Sequence, residues 1–514
     1  MGGLYTFAAA KSSQLFPYPL SLNRRHCRVK AHELTDFQDL SPPRSQVVRI
    51  DALAIEDALA VSASPGSLLL EITDPQTLEL ARSHPVHAQL KVLAAGPPSL
   101  VDRHAASKVA TTLKRPNDVL IPGLVNAHSH LDLTHIGPLP PHGEGDDSGS
   151  SRFMRFVDIV RQRRFTDDQQ IAASVRAGIE SSLSSGVVAV GDISGAAGGW
   201  PRLAAHAELL RSPLWGTSFV EFFAIGTAEE RGLERLEEAL QEGVARVTRP
   251  HLRLGISPHA PYTVSRRAYM AAAAMGKRYN LPLMTHLSET AAEHAFVATA
   301  SGPQRELLER LGIWSSDMLR EIGHGATPVS HLQSVLSYSE MIAVHCNGLS
   351  GPDIARLLDA KTRVVFCPRA SAYFKADEEF GPHRYPDLLF VGIKVALGTD
   401  SVINLYRSGD IASEEPFDRD VGVPAPATPL SILEEMRLLY RRDAIRAMTL
   451  LGMATMDGAT VLGLDPLNFT FKRGAKIAGV VAVNAQRPGS VNLDLAIDRI
   501  LLGNASPELL YIGK

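Results

Sequence analysis

The sequence predicts an α/β protein: a (β/α)8 TIM barrel with a small β-sandwich-like domain that is built from both ends of the chain. Three observations indicate this fold. Eight buried strand segments alternate with amphipathic helices between residues 119 and 400. Short β-rich runs precede this region, and further β-like alternation follows it. Metal-binding and ionisable side chains recur where the eight strand segments end, as they do at the mouth of a barrel.

The barrel strands are predicted from continuous runs of Val, Ile and Leu, which are typical of parallel strands buried on both faces. These segments are 119–128, 187–193, 214–225, 252–259, 281–289, 341–347, 362–368 and 394–400. The stretches between them show the apolar spacing of helices, at 153–164, 169–185, 229–246, 265–279, 304–311 and 351–360. Two long loops, 142–151 and 402–429, follow the first and eighth strands, where barrel enzymes place loops that face the substrate.

The rest of the chain divides into three predicted parts. We expect residues 1–46 to be a disordered N-terminal extension, because residues 1–32 contain no Asp or Glu and resemble a transit peptide in composition alone. Residues 47–118 and 465–514 form the composite β-domain, with strands at 47–53, 68–73 and 87–94 and β-like alternation at 472–484 and 493–502. Residues 119–464 form the barrel, including helices at 430–442 and 443–464.

Composition excludes several classes of partner. The 514 residues carry 52 Lys and Arg against 55 Asp and Glu, a net charge of −3, so no bulk positive charge would hold a nucleic acid or a membrane surface. No run of 18 apolar residues predicts a membrane span. Three scattered cysteines give no disulfide framework. We therefore expect a cytoplasmic protein whose partner is a small-molecule substrate, and a homodimer is left open.

Histidines and acids at the strand ends predict a metal site. In His128-Ser129-His130 the two imidazoles point to the same side of an extended segment, so both can reach one cation. With His286 and Asp400 they supply three nitrogens and one carboxylate oxygen, which leaves a position open for water. As purely structural groups, these four would be buried polar side chains in need of partners at one barrel mouth, which is costly.

Other strand ends carry candidates for contact with substrate. His259, Arg369 and Ser401 lie at or just past a predicted strand end, and Glu221 lies in the second half of the predicted strand 214–225. For Glu221 a structural role, capping a helix or tying loops together, is the favoured interpretation, and Arg369 could equally position a neighbouring loop. Cys367 is interpreted as a packing residue, because free cysteine is commonly buried.

Several segments resemble the metal-dependent amidohydrolase superfamily, in its deaminase and chlorohydrolase-like branch. They are LIPGLVNAHSHLDLTHIGPLP (120–140), GISPHAPYTVS (255–265), MTHLSET (284–290), AVHCNGLS (343–350), VVFCPRASAYF (364–374), VALGTDS (395–401) and MATMDGATVLGL (453–464). The resemblance implies that His128, His130, His286 and Asp400 are metal ligands, that Glu289 is the proton shuttle, that His345 is a catalytic histidine near the metal, and that His259 contacts substrate.

The same resemblance implies one metal ion, zinc or else iron, because the bridging residue of binuclear members is absent from the fourth strand. The segments 364–374 and 395–401 look most like adenosine-type deaminases that act on aminodeoxyfutalosine or adenosylhomocysteine. We therefore expect hydrolytic deamination of an aminated purine nucleoside, with Glu289, His345 and Asp400 moving protons. Two alternatives stay open: hydrolysis of another C–N or C–Cl bond, as in a chlorohydrolase, a guanine deaminase or an amidase-like enzyme, and a non-catalytic scaffold of the same fold.

Overall fold

Eight parallel strands form the barrel predicted from the sequence. The computed structural model describes residues 45–59, 61–79, 84–140, 148–197, 199–246, 249–405, 430–485 and 496–514. The barrel strands are Leu124–Ser129, Val187–Ser194, Trp215–Phe222, Leu252–Pro258, Leu283–Leu287, Met341–His345, Arg363–Phe366 and Val395–Leu397. Each pairs with the next along the chain, and nearly every residue in them is buried. A sheet covered by helices on its outer face and filled by side chains within requires such continuously apolar strands.

The first and eighth strands close the barrel where the metal site was predicted. A parallel bridge joins Ser129 to Asp400, and the carbonyl of His128 accepts the backbone N–H groups of Thr399 and Asp400, both at 3.1 Å. Deeper in the barrel the side chains of Asn126 and Thr399 hydrogen-bond at 2.8 Å. Backbone hydrogen bonds that close the barrel therefore place the pair His128 and His130 beside Asp400.

The small domain is a second sheet, built from both ends of the chain as predicted. Its strands are Ser45–Glu56, Ser62–Ala63, Gly66–Thr77, Val86–Gly96, Thr111–Pro122, Gly479–Asn484 and Pro507–Gly513. The strand Ser45–Glu56 pairs antiparallel with Gly66–Thr77 and parallel with Thr111–Pro122. This second pairing closes the sheet on itself around its own apolar core.

The chain passes from one sheet to the other at Gly123. Its N–H bonds to the carbonyl of Gly479 in the small sheet, whereas the N–H of Leu124 bonds to Gly186 beside the barrel. A Cβ at position 123 would lie 2.4 Å from a methyl group of Val188, so only glycine allows this close approach. The predicted strand 119–128 is consequently two strands, and its first part belongs to the small sheet rather than to the barrel.

Helices and short 3₁₀ turns surround the strands. The α-helices are Pro98–Val101, Gly149–Arg163, Asp168–Ser184, Ala204–Arg211, Glu229–Val244, Arg266–Tyr279, Ala291–Thr299, Pro303–Arg310, Pro328–His331, Gln333–Tyr338, Gly351–Asp359, Pro368–Tyr373, Ala376–Phe380, Tyr385–Phe390, Ile432–Asp443, Ala447–Ala454, Met456–Val461 and Ala496–Leu502. The 3₁₀ turns are Ala105–Val109, Leu131–Ile136, Gly226–Ala228, Ser316–Arg320, Val402–Leu405 and Pro466–Phe469. None of the helices in the described ranges is long and apolar enough to cross a membrane.

One prediction for the C-terminal region was wrong, and several predicted segments lie outside the described residues. The segment 493–502 was predicted as β-like, but Ala496–Leu502 is a helix that buries Ala496, Ile497, Ile500 and Leu501 on one face. This spacing fits a period of 3.6 residues, so the expected β alternation was wrong. The extension 1–46, apart from its last two residues, and most of the loops 142–151 and 402–429 lie outside the described residues.

Candidate active site

Five polar side chains meet at the C-terminal end of the barrel. His128 and His286 lie in the first and fifth strands, and His345 ends the sixth. His130 and Asp400 lie just past the ends of the first and eighth strands. Because parallel strands present their C-terminal ends at one mouth, residues up to 272 positions apart in the sequence become neighbours.

The distances between these groups suit a shared cation. One ligand atom from each of His128, His286, His345 and Asp400 lies within 4.8 Å of the others. The Nε2 atoms of His128 and His130 are each 3.4 Å from Asp400 Oδ1. His130 Nε2 is also 3.4 Å from His286 Nε2. Within the described residues, His128 Nε2 and His345 Nε2 are buried with no hydrogen-bond partner, as expected of nitrogens that aim at a metal.

Protonation at this cluster also fits metal binding. Burial lowers the pKa of His130 and of His345 to about 3, although Asp400 acts in the opposite direction in both cases. The pKa of His286 is also well below its ordinary value, again chiefly through burial. Burial would raise the pKa of Asp400, but the neighbouring histidines outweigh it and lower this pKa. Neutral imidazoles and an ionised carboxylate are the forms that bind a divalent cation.

Hydrogen bonds fix the orientation of the ligands. The Nδ1 atom of His286 donates to the backbone carbonyl of His259 at 2.9 Å, which leaves Nε2 with a free lone pair. The amide of Asn404 donates to Asp400 Oδ2. Asn404 lies in the 3₁₀ turn Val402–Leu405, which begins two residues after Asp400. Such partners hold each ligand in one orientation, and the bond from Nδ1 to a carbonyl raises the basicity of His286 Nε2.

Glu289 lies beside this cluster without being part of it. Its Oε1 is 3.4 Å from His345 Nε2, and its side chain is 7% exposed. Burial, followed by the negative charge of Asp400, raises its pKa well above the ordinary range. Its backbone carbonyl accepts a hydrogen bond from Asn347 at 3.0 Å. A carboxyl group that stays protonated near neutral pH is suited to deliver a proton.

The cluster lies at one side of a cavity of about 640 Å³, a volume typical of small-molecule sites. His130, Glu221, His259, His286, Glu289, His345 and Asp400 contribute polar groups to its wall. Much of the remaining wall is apolar and includes Phe153, Phe156, Leu307, Leu308 and Ile313. The cavity wall therefore combines these polar groups with a mostly apolar lining, in which Arg161, Arg231 and Arg235 also occur.

Glu221 and His259 lie together on the cavity wall. Their ligand atoms and that of His286 lie within 4.8 Å of one another. The Nδ1 atom of His259 contacts Thr263 Oγ1 at 2.7 Å. Burial would raise the pKa of Glu221, but Arg164 and His259 outweigh it and lower this pKa. Both residues are therefore placed where the sequence predicted contact with substrate, and that contact stays a prediction.

One cavity residue gave no sequence signal. Arg164, just after the helix Gly149–Arg163, contacts Asp132 Oδ2 at 3.1 Å and Glu221 Oε2 at 3.3 Å. It also lines the cavity. Asp132 lies in the motif around the histidine pair and could have been singled out on that ground, but an arginine at a helix end has no local pattern. The resulting ion triad ties the loop after the first strand to the end of the third.

Arg369 and Ser401 are placed differently from the prediction. Arg369 Nε is 2.5 Å from Glu435 Oε1, and its Nη2 donates to the carbonyl of Ser431 at 3.0 Å. Ser401 is fully buried, and its hydroxyl accepts the N–H of Ile403 at 3.2 Å. Neither is among the residues that line the cavity. Position past a strand end does not determine which way a side chain points, and here both side chains bind other parts of the protein.

A closed parallel barrel with histidines and an aspartate at its mouth defines a metal-dependent hydrolase of the TIM-barrel type. Residues 119–468 match the family model described as Amidohydrolase family, and the chain belongs to that family. The predictions of the superfamily, of the barrel and of an enzyme that hydrolyses C–N bonds are confirmed.

One curated relative and two solved structures illustrate what the chain is similar to. The chain is 30% identical over 327 residues to a protein named aminodeoxyfutalosine deaminase from Deinococcus radiodurans, a match that covers 60% of this chain and 70% of that one. The structure of Helicobacter pylori aminofutalosine deaminase with methylthio-coformycin is 19% identical, with a TM-score of 0.66, over 90% of this chain and 98% of that one. Atrazine chlorohydrolase from Arthrobacter aurescens, complexed with zinc, is 17% identical, with a TM-score of 0.59, over 88% and 91% of the two chains.

Proposed function

We propose that this protein is a metal-dependent deaminase that hydrolyses an aminated purine nucleoside and releases ammonia. The observation that carries the proposal is the meeting of Glu289, His345 and Asp400 with the histidine cluster at the polar end of one cavity. The 30% identity to a protein named aminodeoxyfutalosine deaminase supports the nucleoside class.

One divalent cation, zinc in our proposal, would be held by His128, His130, His286 and Asp400. A second group of candidate ligands, Glu221, His259 and His286, shares His286 both with this proposed set and with the cluster of His128, His286, His345 and Asp400. Because Nδ1 of His286 is already bonded to a backbone carbonyl, only its Nε2 can bind a cation. Two cations would compete for that one atom, so the donor set supports a single ion.

The reaction follows from the positions of the remaining groups. A divalent cation in such a site lowers the pKa of water toward about 7 and so supplies hydroxide at neutral pH. Asp400 and His345 face the same point of the cavity, where they can orient the attacking water and accept its proton. Glu289 is placed to protonate the ring nitrogen next to the amino-bearing carbon, which draws charge away from the tetrahedral intermediate. The proton taken from the water then passes to the amino group, which leaves as ammonia, while the hydroxyl proton of the intermediate returns to Glu289 and the oxo product remains.

The dimensions of the cavity favour a nucleoside over a free base. A 6-aminopurine supplies both atoms that the reaction needs, an electrophilic C6 and a basic N1. The cavity of about 640 Å³ extends from the reacting end into a chamber lined by Phe153, Phe156 and Leu307, which is space that a bare base would leave unused. We propose that Glu221 and His259 contact this substrate near the reacting end.

The experiment measures ammonia release together with the loss of adenine-type absorbance, and chloride release where the substrate is a chlorinated triazine. Adenosine, adenosylhomocysteine and aminodeoxyfutalosine form one set of substrates, and a chlorinated triazine, guanine and a simple amide form the other. We expect turnover in the first set. Activity confined to the second set would refute the nucleoside assignment and would favour the chlorohydrolase, guanine deaminase or amidase alternatives, while inactivity with both sets would favour the scaffold. A cytoplasmic location and a homodimer stay predictions.

A further inference from the structure

The carboxylate of Glu293 contacts the backbone of the segment that carries Glu289. Its Oε1 accepts the N–H of Ser288 and its Oε2 accepts the N–H of Glu289, both at 2.8 Å. Glu293 is fully buried. Burial raises its pKa to about 7, while the N–H groups of Glu289, Ser288 and Thr290 favour the ionised form. One side chain thus binds successive amides immediately beside the group that we propose as the proton shuttle.

The segment held in this way has an unusual backbone conformation. Ser288 has a φ of 55°, in the left-handed region that residues other than glycine rarely adopt. Its hydroxyl donates to the carbonyl of Gly348 at 2.7 Å and lies 2.6 Å from His294 Nε2. A turn of this kind persists only where its surroundings determine it. The direction in which Glu289 enters the cavity therefore depends on contacts made by its neighbours.

An ordinary helix cap does not account for this geometry. Glu293 is the third residue of the helix Ala291–Thr299, whose cap Thr290 accepts the N–H of Glu293 at 3.2 Å. In a capping box, the acid at this position bonds back to the N–H of the cap residue itself. Here the two 2.8 Å bonds reach one and two residues further back, to Glu289 and Ser288.

The helix Gly351–Asp359 shows the ordinary arrangement in the same protein. Its third residue, Asp353, is also fully buried, and it accepts the N–H and hydroxyl of its own cap Ser350 at 3.1 and 2.6 Å. Two helices with the same capping pattern thus use their buried acids differently. Only Glu293 reaches past its cap to the active-site segment.

We propose that Glu293 is a positioning residue for the reaction: its carboxylate holds the Ser288–Glu289 backbone so that the Glu289 carboxyl faces His345 and the substrate. This inference rests on the proposed role of Glu289. Glu293 itself does not line the cavity, so it acts through the backbone of Glu289 and not by contact with substrate.

The test compares Glu293→Gln with Asp353→Asn in the metal-loaded, full-length protein. Glutamine keeps the shape of the side chain, but it can accept only one of the two N–H groups and turns its own N–H group toward the other. We expect kcat to fall about 10- to 100-fold, the range for a small displacement of a catalytic group, with KM within about threefold of the wild type. Asp353→Asn should change thermal stability but not kcat. Hydrogen exchange at the Ser288 and Glu289 amides, followed by mass spectrometry, should be faster in Glu293→Gln alone.

A double variant separates positioning from general damage to the structure. If Glu293 acts through Glu289, then Glu289→Gln/Glu293→Gln turns over no more slowly than Glu289→Gln alone. An additional 10-fold loss of kcat in the double variant would overturn the proposal. So would a wild-type kcat in Glu293→Gln, or a fall in its kcat no larger than its loss of bound metal explains. If Glu293→Gln does not fold, the shorter Glu293→Asp takes its place under the same criteria. If the wild type turns over none of the nucleosides, the proposed function fails. Hydrogen exchange still tests the role of Glu293 in that case, because unchanged exchange at the Ser288 and Glu289 amides of Glu293→Gln would contradict it.

Discussion

Glu289→Gln tests the assigned chemistry most directly, because it changes proton transfer and little else. The amide matches the carboxyl in shape, and the side chain it replaces is 7% exposed with His345 Nε2 at 3.4 Å. A buried site of this kind gives bulk water no easy route to replace the missing proton carrier. None of the four proposed metal ligands is altered, so metal content is expected to stay at the wild-type level.

The expected loss is in turnover. Removal of a general acid or base typically lowers the rate about 10²- to 10⁴-fold, which corresponds to about 3–5 kcal/mol of activation free energy. KM should change little, because the amide fills the same space and Glu221 and His259 remain. The assay follows absorbance loss and ammonia release under saturating nucleoside, with metal measured by elemental analysis on the same sample.

Glu56→Gln is the matched control for this change. Glu56 is a buried glutamate in the small sheet, 2% exposed, with one carboxylate oxygen that has no hydrogen-bond partner in the described ranges. The same chemical substitution there should leave kcat at the wild-type value. If Glu289→Gln kept more than about a tenth of wild-type turnover with full metal content, the role of Glu289 as proton shuttle would be refuted.

Three further predictions concern the metal and two buried carboxyl groups. Elemental analysis should find one equivalent of divalent metal per chain, and two equivalents that are both needed for turnover would contradict the single-ion assignment. Arg369→Met should lower the free energy of unfolding by about 3–5 kcal/mol, because Glu435 is fully buried, and should leave kcat/KM unchanged. The exposed pair of Asp317 and Arg320 should contribute less than about 1 kcal/mol. A raised KM in Arg369→Met would indicate that Arg369 contacts substrate. Burial raises the pKa of Asp192 to about 8, so the contribution of this one group to stability should fall as pH rises from about 4 to 8. The melting temperature of Asp192→Asn should therefore rise relative to that of the wild type over this pH range, and an unchanged difference would count against the shift.

The sequence predicted the barrel well because its strands are buried on both faces, which leaves a continuous apolar signal. The strand ends were placed too late in most cases: the predicted strand 281–289 ends at Leu287, and 394–400 ends at Leu397. The polar residues that gave the site its signal therefore lie partly in the loops, as Glu289 and Asp400 do. The prediction that these residues lie together at the mouth of the barrel still holds, because a strand and the loop that follows it lie at the same end of the barrel.

The parts that were not predicted depend on contacts between distant residues. Arg164 joins Asp132 and Glu221 only because the barrel brings three separate segments together. The direction of Arg369 is set by Glu435, 66 residues further along the chain. The end of a predicted strand indicates where a residue lies in the barrel. The direction of its side chain depends on the residue that it binds, and no local pattern in the sequence reveals that residue.

Asp400 and Glu289 show how one buried cavity can assign two carboxyl groups to different tasks. Burial acts on both in the same direction and favours the neutral form of each. Asp400 lies among imidazoles that reverse the effect, so it stays ionised and can bind a cation or accept a proton. Glu289 meets the negative charge of Asp400 instead, which adds to burial and keeps its proton in place. Carboxyl groups with pKa values shifted in opposite directions are the usual mark of an acid and a base working together, and here the difference follows from which neighbour each one faces.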